Sequence, residues 1–317
     1  MKLSVIEATE ETHAAISDIV NIREQSAFHR VMTSQAFWVA AALFALVVFM
    51  TWLEPTFGTA DNVTNITRNF APLAIMSLGM TVVIITGGID LSVGSVMGLV
   101  AIVTGLLLTW HHSWYVAFAA GLLAGLACGA FNGFFVAYIG MPSFVVTLGM
   151  LSIARSLAVV VSGNQMLYQF GPDAPIVRAI GQAKWPLHAP AGWAPHWMPE
   201  FSSHFWVMVI LALILGAIFI FSAWARHLYA IGSNENAARL TGVSVDWIKF
   251  QAYVFSSFTA SIASLLLLGY SGSAINAMGT GYELRVIAGL AVGSFVVFLS
   301  RLSLCRLSFW QGWGLCC

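Results

Sequence analysis

Long apolar runs separated by short polar intervals set the pattern of this chain. About 20 apolar residues suffice to cross a bilayer as a helix. Such runs fall at 36–53, 70–86, 91–110, 114–139, 143–161, 205–222, 251–269 and 286–300. They predict an all-α, polytopic membrane protein of about eight spans. Residues 1–35 carry Glu7, Glu10, Glu11, Asp18 and Glu24 without a continuous apolar core, which argues against a signal peptide. Within them Ala14, Ala15, Ile16, Ile19, Val20 and Ile22 fit a short amphipathic helix, and a solvated tail fits as well.

Lysine and arginine in the loops give an orientation, because basic loops stay inside. Lys2, Arg23 and Arg30 precede the first run, and Arg226, Arg239 and Lys249 fall in 223–250. The 54–69 loop has only Arg68, and the 162–204 loop has Arg178 and Lys184. A cytoplasmic N-terminus returns 223–250 to the cytoplasm after six crossings and leaves 162–204 outside. The outer loop holds Pro172, Pro175, Pro186, Pro190, Pro195 and Pro199 with Trp185, Trp193 and Trp197. Prolines argue against a helix there, and tryptophans favour the headgroup layer. It reads as an interfacial loop or as a docking surface for an external partner. The expected division is a cytoplasmic tail over 1–35, a transmembrane domain over 36–300 and an atypical tail over 301–317.

Composition agrees. The chain is 59% hydrophobic and 8% charged, against about 25% charged in a soluble domain. A formal net charge of zero gives no footprint for nucleic acid. Cys128, Cys305, Cys316 and Cys317 have no metal-ligand spacing and define no disulfide framework. A Gly-x-x-x-x-Gly-Lys-Ser/Thr phosphate loop is absent from the sequence. The chain is therefore not expected to be an enzyme or to hold a cofactor.

The richest stretch is 70–110, where two runs are broken by Gly87, Gly88 and the lone carboxylate Asp90. A charge at membrane depth is costly and survives mainly inside a bundle or beside water. Adjacent glycines suggest an interrupted helix next to a cavity, as in transporters. Ser92, Asn132 and Arg155 add polar groups in or beside neighbouring spans, and with Gly87, Gly88 and Asp90 they form the expected translocation core. Thr81 and Thr86 are further hydroxyls for a polar solute. Gly121, Gly125, Gly129 and Gly133 recur every fourth residue, a face for close helix packing. Gly94 and Gly98 repeat that spacing. Arg155, about 18 Å along its helix from Ser143, suits a structural pairing with a carboxylate, snorkelling or a place on the pathway.

Between spans, 225–257 is the most polar stretch. Ser233 or Asn234 can cap a short helix through Glu235, Ala237, Ala238, Arg239 and Leu240, and Thr241-Gly242 can end it. Such a helix on the inner face is a lever for a cytoplasmic partner, or an ordinary surface loop.

Three blocks carry a family resemblance: Gly79-Met80-Thr81 with Thr86 through Ser95; Pro142–Phe144, Thr147–Met150 and Ala154-Arg155; Tyr229–Gly232, Asn234 and Ala237–Gly242. In this order and spacing they resemble the permease subunit of monosaccharide-type ATP-binding-cassette importers, the group serving ribose, xylose, arabinose, galactose and autoinducer-2. The resemblance spans about 36–287. It implies a bacterial inner-membrane permease that works as a homodimer, with ATP and Mg on a separate cytoplasmic ATPase and a periplasmic sugar-binding protein delivering a monosaccharide. It implies that Tyr229, Gly232, Asn234, Glu235, Ala237, Ala238, Arg239 and Gly242 belong to the ATPase-coupling loop. It also implies that Asp90 lies in the central core.

After Ala288 the chain departs from that family, whose members continue with a glycine-rich segment and further spans. Arg301, Arg306 and three cysteines crowd its last residues. A frame change or truncation near residue 288 and a divergent end are the two readings, and the last family helices have no counterpart. Gly88-Ile89-Asp90-Leu91 and Gly281-Tyr282-Glu283-Leu284 also look alike, as an internal repeat would.

Two other functions compete. Gly269-Tyr270-Ser271-Gly272 resembles a rhomboid protease motif, but every histidine lies upstream of Ser271, so the later general base is missing. An ion-coupled secondary carrier or channel for a small polar solute would use Asp90 and Arg155.

Overall fold

The computed structural model describes residues 35–185 and 201–290. Two units divide the chain, 1–49 with 296–317 and 50–295. The described part of the first is most of α1 (Gln35–Leu53), an apolar helix without a charged residue. The second holds α2 (Ala60–Ile85), α3 (Val93–Thr109), α4 (Trp114–Ala137), α5 (Ser143–Ser162), α6 (Ala174–Gln182), α7 (Ser203–Phe221), α8 (Ala223–Ser233), α9 (Glu235–Leu240), α10 (Val245–Ser271) and α11 over 282–290. One two-residue antiparallel pair joins Lys184–Trp185 to Phe201–Ser202.

Among the described residues, α2, α4, α5, α7 and α10 are long and apolar enough to cross a membrane. Residues 40–53 and α3 are shorter apolar helices. Eight spans are not reached among these residues: the runs at 36–53 and 91–110 give the two shorter helices, and most of 286–300 lies outside the described residues. The tail 1–34, Trp193, Trp197 and the atypical end 301–317 also fall outside.

Helix α10 is the centre, packed on α2, α3, α4 and α6, while α3 packs on α4 and α5. In the apolar window of α10, 67% is buried, against 11% in α7. Leu213, Ile214, Ile220 and Phe221 of α7 stand bare. Leaving such area in water costs about 25 cal/mol per Å², a cost that lipid contact removes.

The glycine stripe of α4 explains its close approach to α10. A Cβ on Gly129 would meet Ser257 Cβ and Tyr253 O at 2.8 Å, and one on Gly133 would meet Phe250 O at 2.9 Å. Gly125 faces Ser261 and Gly121 faces Thr104 of α3 in the same way. Gly129→Leu is therefore expected to force the helices apart and cost about 1–3 kcal/mol from overpacking. Thermal unfolding of the detergent-solubilised protein checks this, and an unchanged midpoint would contradict it.

Two elements differ from the sequence expectation. Helix α2 reaches ten residues further back than the run at 70–86. Thr59 caps it by accepting from the Asn62 amide at 3.4 Å, and Asp61 lies in its first turn, where the helix dipole favours an acid. Its polar end is held by Arg68, whose guanidinium sits 4.3 Å over the Tyr270 ring. In the 162–204 loop, proline does not exclude a helix. Pro175 stands in the first turn of α6, where its missing amide costs nothing.

Candidate functional site at the helix break

Helix α2 ends because Gly87 takes a positive φ of 79°. The Gly87 amide donates to the Ile84 carbonyl and the Gly88 amide to the Val83 carbonyl, which satisfies the last turn. The chain stays non-helical through Ile89 and is fixed by α5: Ile89 N donates to Ser143 Oγ at 3.2 Å, and Thr147 Oγ1 donates to Ile89 O at 3.3 Å. Asp90 then opens α3. Its Oδ1 accepts from Ser92 N at 3.0 Å and Ser92 Oγ at 2.6 Å, an arrangement that aspartate favours at helix starts and turns.

Asp90 is fully buried. Its second oxygen accepts from Ser256 Oγ of α10 at 2.8 Å. Asn132 Nδ2 of α4 donates to Ser92 Oγ at 2.9 Å. One carboxyl thus joins the break to α10, and through Ser92 to α4. Both carboxylate oxygens of Asp90 are bonded, which makes it a fixed joint, while the buried Asn132 Oδ1 has no partner among the described residues. No lysine or arginine bonds Asp90 among the described residues. Tyr253 of α10 covers the other side, its hydroxyl against Gly88, where a side chain would collide with it.

Gly87, Gly88, Asp90, Ser92 and Asn132 therefore come together, and Arg155 does not join them. Arg155 Nη1 donates to the carbonyls of Asn276 at 2.6 Å and Met278 at 3.0 Å. Those residues belong to the segment after α10, which folds back along α3. Ala274 pairs with Leu167 and lies against Gly105; the Met278 and Asn276 carbonyls cover Gly98, and Gly279 covers Gly94. Non-helical backbone within a bundle needs such internal partners. Arg155 thus fastens a returning chain by its carbonyls. Thr81 donates to Ser77 O and Thr86 to Val83 O, within their own helix. Ser271 donates to Ser273 O at 2.8 Å, as a turn serine does.

The polar loop folds at the same end as the break. Asn234, the capping residue of the two candidates, accepts from the Ala237 amide at 3.0 Å and starts α9. Gly242, at φ 85°, ends it. Ala238 is buried, Ala237 is exposed, and Tyr229 is exposed with its ring 5.8 Å from Phe219. Glu235 accepts from Lys249 at 2.6 Å and from Arg239 at 3.3 Å, and Arg239 also pairs with Asp246. The Lys249 hydrogen bond, helped by Arg239, holds the Glu235 carboxyl below the usual glutamate range. Gly232 of α8 lies against the Ile85 carbonyl, so a side chain there would strike the end of α2 directly before the break. A cavity of about 450 Å³ separates the loop from the break.

Ser143, Thr147, Tyr253 and Ser256 were not among the residues expected from sequence. A signal existed in α10, where Ser256, Ser257, Thr259, Ser261 and Ser264 crowd one apolar span. Small hydroxyl residues at that density mark a packed, polar helix face.

Residues 62–300 match a family model described as a branched-chain amino acid transport system / permease component. The chain is 34% identical over 253 residues to the ribose import permease protein RbsC of Escherichia coli, covering 80% of this chain and 75% of that protein. It is 34% identical over 255 residues to the probable ABC transporter permease protein y4mJ of Sinorhizobium fredii, covering 80% and 72%. To the autoinducer 2 import system permease protein LsrC of Salmonella typhi it is 30% identical over 260 residues, covering 80% and 70%. No solved structure matches the chain.

Proposed function

The chain belongs to the family of branched-chain amino acid transport system / permease components, and from that premise we propose that it is the membrane subunit of an ATP-binding-cassette importer for a monosaccharide. The sugar class comes from the relatives named for ribose and autoinducer 2 import. Two copies enclose the path in the inner membrane. A periplasmic sugar-binding protein docks on the side of the 162–204 loop, and a separate ATPase grips α8 and α9 from the cytoplasm. The basic residues of 223–250 and of the N-terminal tail support this orientation. In this reading residues 1–35 are a cytoplasmic tail, 36–300 the permease domain and 301–317 an atypical tail.

The observation that carries the reading is the contact of Gly232 with the Ile85 carbonyl. Movement of α8 and α9 is transmitted to the end of α2 without an intervening side chain. The glycines at 87 and 88 form the hinge, and Asp90, Ser92 and Asn132 hold the far side of it. ATP shifts the equilibrium between inward and outward states by binding one ATPase arrangement more tightly. Arg155 keeps the returning chain in place against α3. An ion-coupled carrier would need Asp90 to take and release an ion each cycle; its bonded oxygens suit a fixed joint instead.

Leu240 is 90% exposed at the tip of α9, an apolar side chain suited to a groove on the ATPase. Leu240→Glu is expected to reduce co-purification of the ATPase about tenfold or more, the loss of one buried leucine contact at an interface. The variant should still insert in the membrane. Undiminished co-purification would count against this docking.

A further inference from the structure

We propose that the 450 Å³ cavity between the break and the coupling loop is a chamber for an uncharged polyhydroxylated ligand, the sugar's last halt before release. This rests on the permease reading above.

Open space comes first. Gly87 and Gly140 both line the chamber and both take positive φ, and a Cβ on either would meet nothing within 4 Å. Glycine at these turns leaves room that any other residue would narrow. The volume lies within the range of small-molecule sites, about 300–1,000 Å³.

The lining then selects the ligand. Tyr253 is 1% exposed and lines the chamber, and its buried hydroxyl has the Ser143 hydroxyl beside it and no closer partner among the described residues. A buried hydroxyl left unbonded costs about 1–3 kcal/mol, and a ligand hydroxyl would remove that cost. Ser143 Oγ accepts from Ile89 N and sets a second hydroxyl beside that of Tyr253 on the chamber wall. Met141 and Phe144, 38% and 53% exposed, give the apolar surface that the C–H face of a sugar needs.

Charge excludes the alternative. Glu235, Arg239 and Lys249 also line the chamber, but Glu235 is matched by both cations and Arg239 by Asp246 as well. An ion or an amino-acid zwitterion would have to break one of these pairs. A neutral sugar does not. Because Glu235 and Arg239 belong to α9, the same helix that meets the ATPase forms a wall of the chamber, so docking and release act on one element.

The test uses the complete transporter in inside-out membrane vesicles, with all four native cysteines replaced by serine. Met141→Cys places a thiol in the lining. Tyr138→Cys, exposed nearby but outside the lining, is the control. Both are labelled with 2-(trimethylammonium)ethyl methanethiosulfonate in the presence of millimolar D-ribose, D-xylose, D-galactose or L-leucine. At least one sugar is expected to slow labelling of Met141→Cys by about threefold or more and to leave Tyr138→Cys unaffected. Adding Tyr253→Phe should raise the sugar concentration needed by about three- to tenfold, the loss of one hydrogen bond. Protection by no sugar, or equal protection by L-leucine, overturns the chamber whether or not transport is seen. Sugar uptake by whole cells carrying the native chain is scored separately: its independence of the ATPase would count against the permease reading and leave the labelling result standing.

Discussion

Asp90→Leu is expected to abolish uptake and to lower the yield of folded protein severalfold. The substitution removes the acceptor of three buried donors, Ser92 N, Ser92 Oγ and Ser256 Oγ. Each orphaned donor costs about 1–3 kcal/mol, and whole-domain stability is about 5–15 kcal/mol. The loss is thus large enough to unfold a substantial fraction. Asp90→Asn is the informative partner. Its remaining oxygen still accepts from Ser92, and its amide can donate to Ser256 Oγ after that hydroxyl rotates. A fixed joint therefore predicts that the asparagine variant stays within about 2 kcal/mol of the native protein and keeps most of its uptake. An ion-carrying Asp90 predicts that asparagine is as damaging as leucine. Thermal unfolding in detergent and sugar uptake by cells, measured side by side, separate the two.

Gly232→Val is expected to uncouple ATP hydrolysis from uptake. Even the first side-chain carbon would collide with the Ile85 carbonyl, so α8 must tilt away from the end of α2. The docking tip at Leu240 lies eight residues further along the chain and keeps its exposure. ATPase binding and basal ATP hydrolysis should persist, while sugar moved per ATP falls about tenfold or more, equivalent to about 1.4 kcal/mol of lost coupling. Gly232→Ala should fall between the two. A native ratio of uptake to hydrolysis in Gly232→Val would show that power reaches the break by another route.

What the sequence disclosed was local. The break at Gly87-Gly88-Asp90 stood out because a carboxylate and two glycines interrupt apolar runs. Helix α9 was legible because capping chemistry is written within ten residues, and the Gly121–Gly133 stripe because its spacing is helical. What stayed hidden depends on distant pairing. Ser256 reaches Asp90 across 166 positions, and nothing near Ser256 singles it out from its neighbouring hydroxyls. Arg155 was open to a carboxylate, to snorkelling or to the pathway; the Glu283 carboxylate does act on its charge, but its hydrogen-bond acceptors are backbone carbonyls 121 and 123 residues away. Every residue owns a carbonyl, so such a partner leaves no mark in sequence. Helix α2 outran its hydropathy signal because its first third is polar and rests on a threonine cap. The cavity depended on three separate turns meeting at one end of the bundle, a fact of assembly.

The most direct measurement is sugar accumulation in proteoliposomes holding the permease alone or with its ATPase, binding protein and ATP. Accumulation against the gradient is expected only in the complete set, with Gly232→Val reducing it while hydrolysis continues. Accumulation by the permease alone would contradict the account.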